Sequence, residues 1–132
     1  MSIIVSRRKE SKWEPIIYSE KLHDEILDLM QRDFGIKDLK KIVRRRHKES
    51  ADIEEEFQRY GYLLISSKKR LDDLCSLLTS NLRSANSIYP TSMHEYEQRR
   101  DFLNFAIVNC EQIVKELQHV VGIFEIGRAS CR

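Results

Sequence analysis

SANSIYPTSMHEYEQRRDFLNFAIVNCEQIVKELQHVV, running from Ser84 to Val121, decides the fold of this chain. Ile88, Tyr89 and Pro90 end whatever precedes them, because the residue before a proline is pushed out of the α region. Ser92 and Glu95 have capping-box spacing, in which each side chain satisfies an orphan backbone N–H of the other residue. Glu95 and Glu97 put negative charge where the helix dipole favours it. From there Leu103, Ala106, Cys110, Ile113, Leu117 and Val120 step by three and four, leaving one stripe apolar and the rest polar. The pattern predicts a bundle helix from Ser92 to about Val121, stopped by Gly122.

Upstream, a second long helix is expected from Ser50 or Asp52 to about Ala85. Ile65, Leu71, Cys75, Leu78, Leu82 and Ala85 follow helical spacing, and Leu74 and Leu77 widen the stripe. Gly61 should kink or weaken this helix, at about 1 kcal/mol relative to alanine. A first helix is expected from Ser11, its N-cap, to Arg32, with Pro15 tolerated in the first turn and Gly35 as stop. Ile16, Ile17, Ile26, Leu27 and Met30 would supply its buried side, and Ile36 would fold back on its end. Between Gly35 and Ser50 two readings stand: a short amphipathic helix built on Leu39, Ile42 and Val43 and capped by Asp38, or a mobile basic arm. Short connections between long helices imply antiparallel neighbours. The expected fold is all-α, an up-down antiparallel bundle, in which Leu71, Cys75, Leu78 and Leu82 face Ala106, Cys110, Ile113 and Leu117.

Composition agrees. One domain of 132 residues with 33% charged and 41% apolar residues suits a helix-rich chain, and four glycines with two prolines leave little punctuation for a many-turned β fold. No apolar run is long enough to cross a bilayer, and MSIIVSRRKE has its apolar and basic residues in the wrong order for a secretory signal, which points to the cytoplasm. Cys75 and Cys110 fall on apolar stripes and read as small core residues.

A net charge of +2 hides a division: residues 1–48 carry thirteen Lys/Arg against eight Asp/Glu. The excess is concentrated in Arg7, Arg8 and Lys9, a basic arm over residues 1–10, and in KDLKKIVRRRHK from Lys37 to Lys48. Segregated charge of this kind steers a polyanion to one end of a molecule. The acidic run ESADIEEE follows directly, and for an isolated chain the reading of the two runs as solvated, mutually attracting faces comes first.

Catalytic chemistry is sparse. His23, His47, His94 and His119 have no partner at metal-ligand spacing, and HExxH, CxxC, a glycine-rich phosphate loop and a GxSxG elbow are all missing. No histidine has an arginine four to six residues before it, the signature of one class of helical ribonuclease. The acidic pairs Asp72-Asp73 and Glu54-Glu55-Glu56 are contiguous, so their carboxylates diverge around a helix and make poor acid/base pairs. The expectation is a non-enzymatic protein with no cofactor, metal site or small-molecule substrate.

SANSIYPTSMHEYEQRRDFLNFAIVNCEQIVKELQ resembles the central segment of the bacterial Avd-like four-helix-bundle family. These are the accessory variability determinants of diversity-generating retroelements, of bacteria and phage, related to bundle proteins encoded in ribosomal RNA intervening sequences. The likeness rests on Ala85-Asn86, the Tyr89-Pro90-Thr91 turn, Tyr96-Glu97-Gln98-Arg99-Arg100, Asn109-Cys110-Glu111-Gln112 and the opening SRRKESKWE from Ser6 to Glu14. Two departures stand out. Residues 34–60 are longer and more charged than the family's short connection, and the likeness breaks off after about Ile126. Family members continue into a fourth amphipathic helix, whereas this chain ends EIGRASCR. Residues 11–126 are thus expected to form the bundle, with the fourth helix lacking and residues 127–132, Cys131 included, a non-family tail. An apolar strip would then lie open where that helix docks.

The resemblance implies a nucleic-acid-binding accessory of a reverse transcriptase, non-catalytic and assembled as a homo-oligomer, a five-fold barrel in characterised relatives. Its family-matching basic residues are Arg7, Arg8, Lys9, Arg99 and Arg100; Lys40, Lys41, Arg44, Arg45 and Arg46 join them on charge alone. Arg99 and Arg100 are equally placed to pair with Glu95, Glu97 or Asp101. The alternative function is a helical protein-interaction module with no nucleic-acid role, acting through the uncovered apolar face.

Overall fold

The structure, a computed structural model, describes residues 13–46 and 50–129. Four helices hold nearly all of them: α1 (Glu14–Arg32), α2 (Ile36–Arg46), α3 (Ser50–Ser87) and α4 (Met93–Ala129). No strand occurs among the described residues. The chain is an all-α helical bundle of three long helices and one short one.

Its spine is α3. Leu64, Ser67, Leu71, Cys75, Leu78, Leu82 and Ala85 recur at three- and four-residue steps and are all buried. The N-terminal half of α3 receives α2, and the C-terminal half receives α1. α4 runs antiparallel along α3, and this hairpin is the most extensive contact of the fold. Asn81 Nδ2 donates to Asn109 Oδ1 (2.7 Å), and Arg70 Nε donates to Glu116 Oε1 (2.7 Å), each between α3 and α4. α1 is antiparallel to α3 as well: Ser19 meets Thr79 (2.9 Å) and, four residues on, His23 meets Asp72 (2.6 Å). Ser19 Oγ also lies 2.8 Å from the Ile16 carbonyl, so the hydroxyl pair inside the core has its partners.

The turn between α3 and α4 is built as its residues suggest. Glu95 N–H donates to Ser92 Oγ (3.2 Å), and Tyr96 N–H donates to the Ser92 carbonyl (3.0 Å). The Glu95 carboxylate accepts from the hydroxyls of Thr91 (2.8 Å) and Ser92 (3.3 Å), and its backbone donor is Thr91 rather than Ser92. At the other turn, Gly35 N–H donates to Asp38 Oδ2 (3.1 Å) while its carbonyl accepts from Leu39 N–H (3.2 Å), which caps α2. A Cβ on Gly35 would stand 3.0 Å from the Gln31 carbonyl oxygen, so glycine allows that close approach.

Several expectations are corrected. α1 opens at Glu14 with Trp13 as its N-cap, and Ser11 lies outside the described residues. Ile17 and Leu27 are exposed, leaving Ile16, Ile26 and Met30 as the buried side of α1. Ile36 is also exposed and does not fold back. Of the two readings of residues 35–50, the helix holds: Leu39 and Val43 are buried in α2. α3 passes through Gly61 as one helix, with Leu64 in the core and Ile65 and Leu77 outside it.

The largest correction is at α4, which runs through Gly122 and Gly127 to Ala129. Its buried line is Ala106, Asn109, Ile113, Val120, Ile123 and Phe124, so Cys110 is exposed and not a core residue. Phe34, in the α1–α2 turn, packs edge-on against Phe124 with ring centroids 5.0 Å apart. Burying an isoleucine and a phenylalanine stabilises by about 1.5–3 kcal/mol each, which exceeds the cost of about 1 kcal/mol for a helical glycine. Residues 130–132 lie outside the described residues, so Cys131 is without a structural account.

Two outcomes follow from these details. A Cβ added at Gly61 would meet nothing within 4 Å, so Gly61→Ala should raise unfolding stability. The gain should be about 1 kcal/mol, read as a rise of roughly 3 °C in the thermal midpoint. Burial pushes the Cys75 thiol up to about 11, so it stays protonated at neutral pH. A thiolate-selective reagent at pH 8 should therefore modify exposed Cys110 well before Cys75, and a peptide map showing the reverse would contradict the packing of α3.

Candidate nucleic-acid interface

Among the described basic residues, α2 presents an open group, in which Lys37 joins the predicted Lys40, Lys41 and Arg44. Lys37, Lys41 and Arg44 stand four and three residues apart, which places them on one outward stripe, and Lys40 lies beside it. All four are exposed, and none is ion-paired with a described residue. The Lys40 ammonium lies 5.8 Å from the centroid of the Phe57 ring on α3. The one carboxylate on α2, Asp38, is turned toward the Gly35 N–H. The helix continues through Arg45 and Arg46, whose side chains lie outside the described set, as do Arg7, Arg8 and Lys9.

Two carboxylates of the acidic run that follows, Glu54 and Glu55, form no ion pair with this stripe. Glu54 and Glu55 are exposed at the start of α3, and Glu55 is 3.9 Å from Arg59 on its own helix. Among the described residues no carboxylate pairs with these four cations.

Arg99 and Arg100 occupy the opposite end of the bundle. Phe124, which touches the turn leading into α2, lies twenty-four residues beyond Arg100 on α4, or about 36 Å at 1.5 Å per residue. One chain therefore does not bring the family-matching pair and the α2 cations onto a common face. Arg100 lies 3.6 Å from Asp101, while Arg99 is half-buried and has no ion pair with a described residue. Glu95, its expected partner, is taken up by the cap hydroxyls. The Thr91 hydroxyl, and after it that of Ser92, hold the Glu95 carboxyl below the usual carboxylate range.

A polar cleft of about 530 Å³ between α1 and α3 was not foreseen from the sequence. Glu20 and Arg83 (2.5 Å) and His23 and Asp72 (2.6 Å) cross it, and Ser76, Ser80 and Ser84 line its floor. Asp72 stands 49 residues from His23, so no local spacing could announce the pair. The one available sign was the four-residue repeat of serines along α3. Arg83 is matched by Glu20 inside the cleft, and no hydroxyl among the described residues hydrogen-bonds to His23, so neither an anion site nor an activated nucleophile is assembled. Nor do any three His, Cys, Asp or Glu side chains among the described residues gather as a metal site. No helix among the described residues is long and apolar enough to cross a membrane.

Among the described residues, the α2 stripe is therefore the basic group that the fold assembles as an open cationic surface, with Lys37 added to the predicted Lys40, Lys41 and Arg44. No family model, curated protein or solved structure matches this chain.

Proposed function

We propose that this chain is a non-enzymatic accessory protein that binds the sugar–phosphate backbone of RNA or DNA. The basic stripe of α2 carries the reading: Lys37, Lys40, Lys41 and Arg44 are exposed, without an ion pair among the described residues, and held on a short helix anchored through Leu39 and Val43. Cations on successive turns, about 5.4 Å apart, can follow a phosphate backbone without contacting bases. The resemblance to the Avd-like family extends the proposal to a reverse transcriptase as protein partner, a homo-oligomeric state, pentameric by that likeness, and a cytoplasmic site of action. Assembly would bear on geometry as well, because a ring repeats the α2 stripe around its axis although Arg99 and Arg100 stand far from it within one chain.

The test is a salt titration of binding to duplex DNA and single-stranded RNA. Affinity should fall steeply with salt, with a slope of about −0.9 per phosphate neutralised on duplex DNA. Lys37→Ser, Lys41→Ser and Arg44→Ser together should flatten that slope by roughly 2 to 3 and weaken binding to all sequences alike, leaving far-UV circular dichroism unchanged. Arg99→Ser with Arg100→Ser should have the smaller effect. Absence of binding at tens of micromolar protein in low salt would sink the proposal.

A further inference from the structure

Along α4, Leu103, Ile107, Cys110, Val114, Leu117 and Val121 recur at alternating steps of four and three, the spacing of a coiled-coil seam. This seam adjoins the buried line of α4 but is not itself covered. Leu103 and Leu117 are half-buried, whereas Ile107 is 57% exposed and Val114 53%. Across from it stand Pro15, Tyr18 and Leu22 of α1, yet no Cα atom of α1 comes within 8 Å of one in α4. The result is an apolar valley with Leu78 and Leu82 on its floor. It holds a cavity of about 490 Å³ at the Leu103 end and one of about 420 Å³ at the Val121 end. The seam is about 27 Å long, five helical turns. Monomers seldom leave so continuous an apolar strip open.

The rim says what covers it. The positions one step outside the seam, every seventh residue, are Glu97, Asn104, Glu111, Gln118 and Glu125. All five are exposed, three are carboxylates, none is cationic, and none of the carboxylates is ion-paired with a described residue. Gln118 and Glu125 line the lower cavity directly. Glu111 adjoins the seam at Cys110, whose thiol is pushed up first by burial and then by that charge. Arg100 continues the seam at its upper end but faces Asp101, and Lys115 lies further outward.

This charge pattern argues against a second copy. An antiparallel twofold pairing of α4 would match the seam well, placing Leu103 over Val121, Ile107 over Leu117 and Cys110 over Val114. The same register sets Glu111 against its own copy and Glu97 against a copy of Glu125, and like charges at these flanking positions disfavour pairing. We infer that the valley docks one amphipathic helix of a different protein, about five turns long, with an aliphatic seam and with Lys or Arg along the edge that lies over Glu111 and Glu125. This is recognition of a helix in a groove, with affinity from the seam and choice of partner from the rim. It goes beyond the nucleic-acid reading and does not depend on it, since no residue of α2 lines either cavity.

The probe is a pair of labelled 21-residue synthetic helices sharing a leucine seam, one flanked by lysines and the other by glutamates. Each is titrated with the full chain in an anisotropy assay. The lysine-flanked helix should bind at least tenfold more tightly. Glu111→Lys with Glu125→Lys should invert that preference, and both positions are exposed, so folding is not at issue. Ile107→Asp with Val114→Asp should abolish binding of both helices with helicity retained. The inference is overturned if the two peptides bind alike, or if binding survives the aspartates. It is equally overturned if the chain alone is a dimer that the aspartates dissolve, or if the lysine-flanked helix binds only after residues 1–12 are removed. Those last two results would assign the valley to a second copy or to the chain's own N-terminus.

Discussion

The bundle depends on one constraint: α3 carries a single apolar stripe that must serve three neighbours. Leu64, Leu71, Cys75, Leu78 and Leu82 are buried along it, and α1, α2 and α4 each take part of that line. A helix this long in isolation gains little from propensity alone, so its persistence over Ser50–Ser87 reflects packing. Gly61 illustrates the point. It sits where the helix is weakest in local terms, yet Leu64 and Ser67 just beyond it are fully buried, and the helix runs straight through.

Apolar stripes alone would permit α4 to slide or rotate against α3. The side-chain amides of Asn81 and Asn109 select one register, because a shift of a turn would take the Asn81 donor from the buried Asn109 Oδ1 and leave Asn109 only its bond to Gln112 on the same helix. Ser19 and Thr79 do the same for α1. The ion pairs Arg83–Glu20 and Arg70–Glu116 lie nearer the surface, where solvent screens them, so they bear more on orientation than on stability.

The all-α class and the α3–α4 hairpin were legible in the sequence because periodicity and capping point to the same places, Ser92 above all. What was not legible follows from tertiary packing. The stripe of α4 was drawn through Cys110, where spacing is good, while the core takes Asn109, a polar residue whose partner on α3 is 28 positions away. The extension past Gly122 depended on Phe34, a turn residue that local patterning had assigned to no helix. The cations of α2 were visible as a run, but their openness was not. It depended on whether Glu54 and Glu55 would reach them, and those carboxylates belong to another helix. The remoteness of Arg99 and Arg100 from that run is likewise a property of helix length and direction that residue types do not encode.

The attachment of α1 has a consequence for how the molecule opens. This helix packs against α3 and makes no backbone approach to α4, so it can lift away without disturbing the α3–α4 hairpin or the seat of α2. Such a unit sets its own rate of amide exchange: hydrogens of α1 are released by a local opening that costs only its own contacts, whereas those at the centre of the hairpin wait for global unfolding. An opening of that kind would put Ile16, Ile26 and Met30, and the stripe of α3 beneath them, into water.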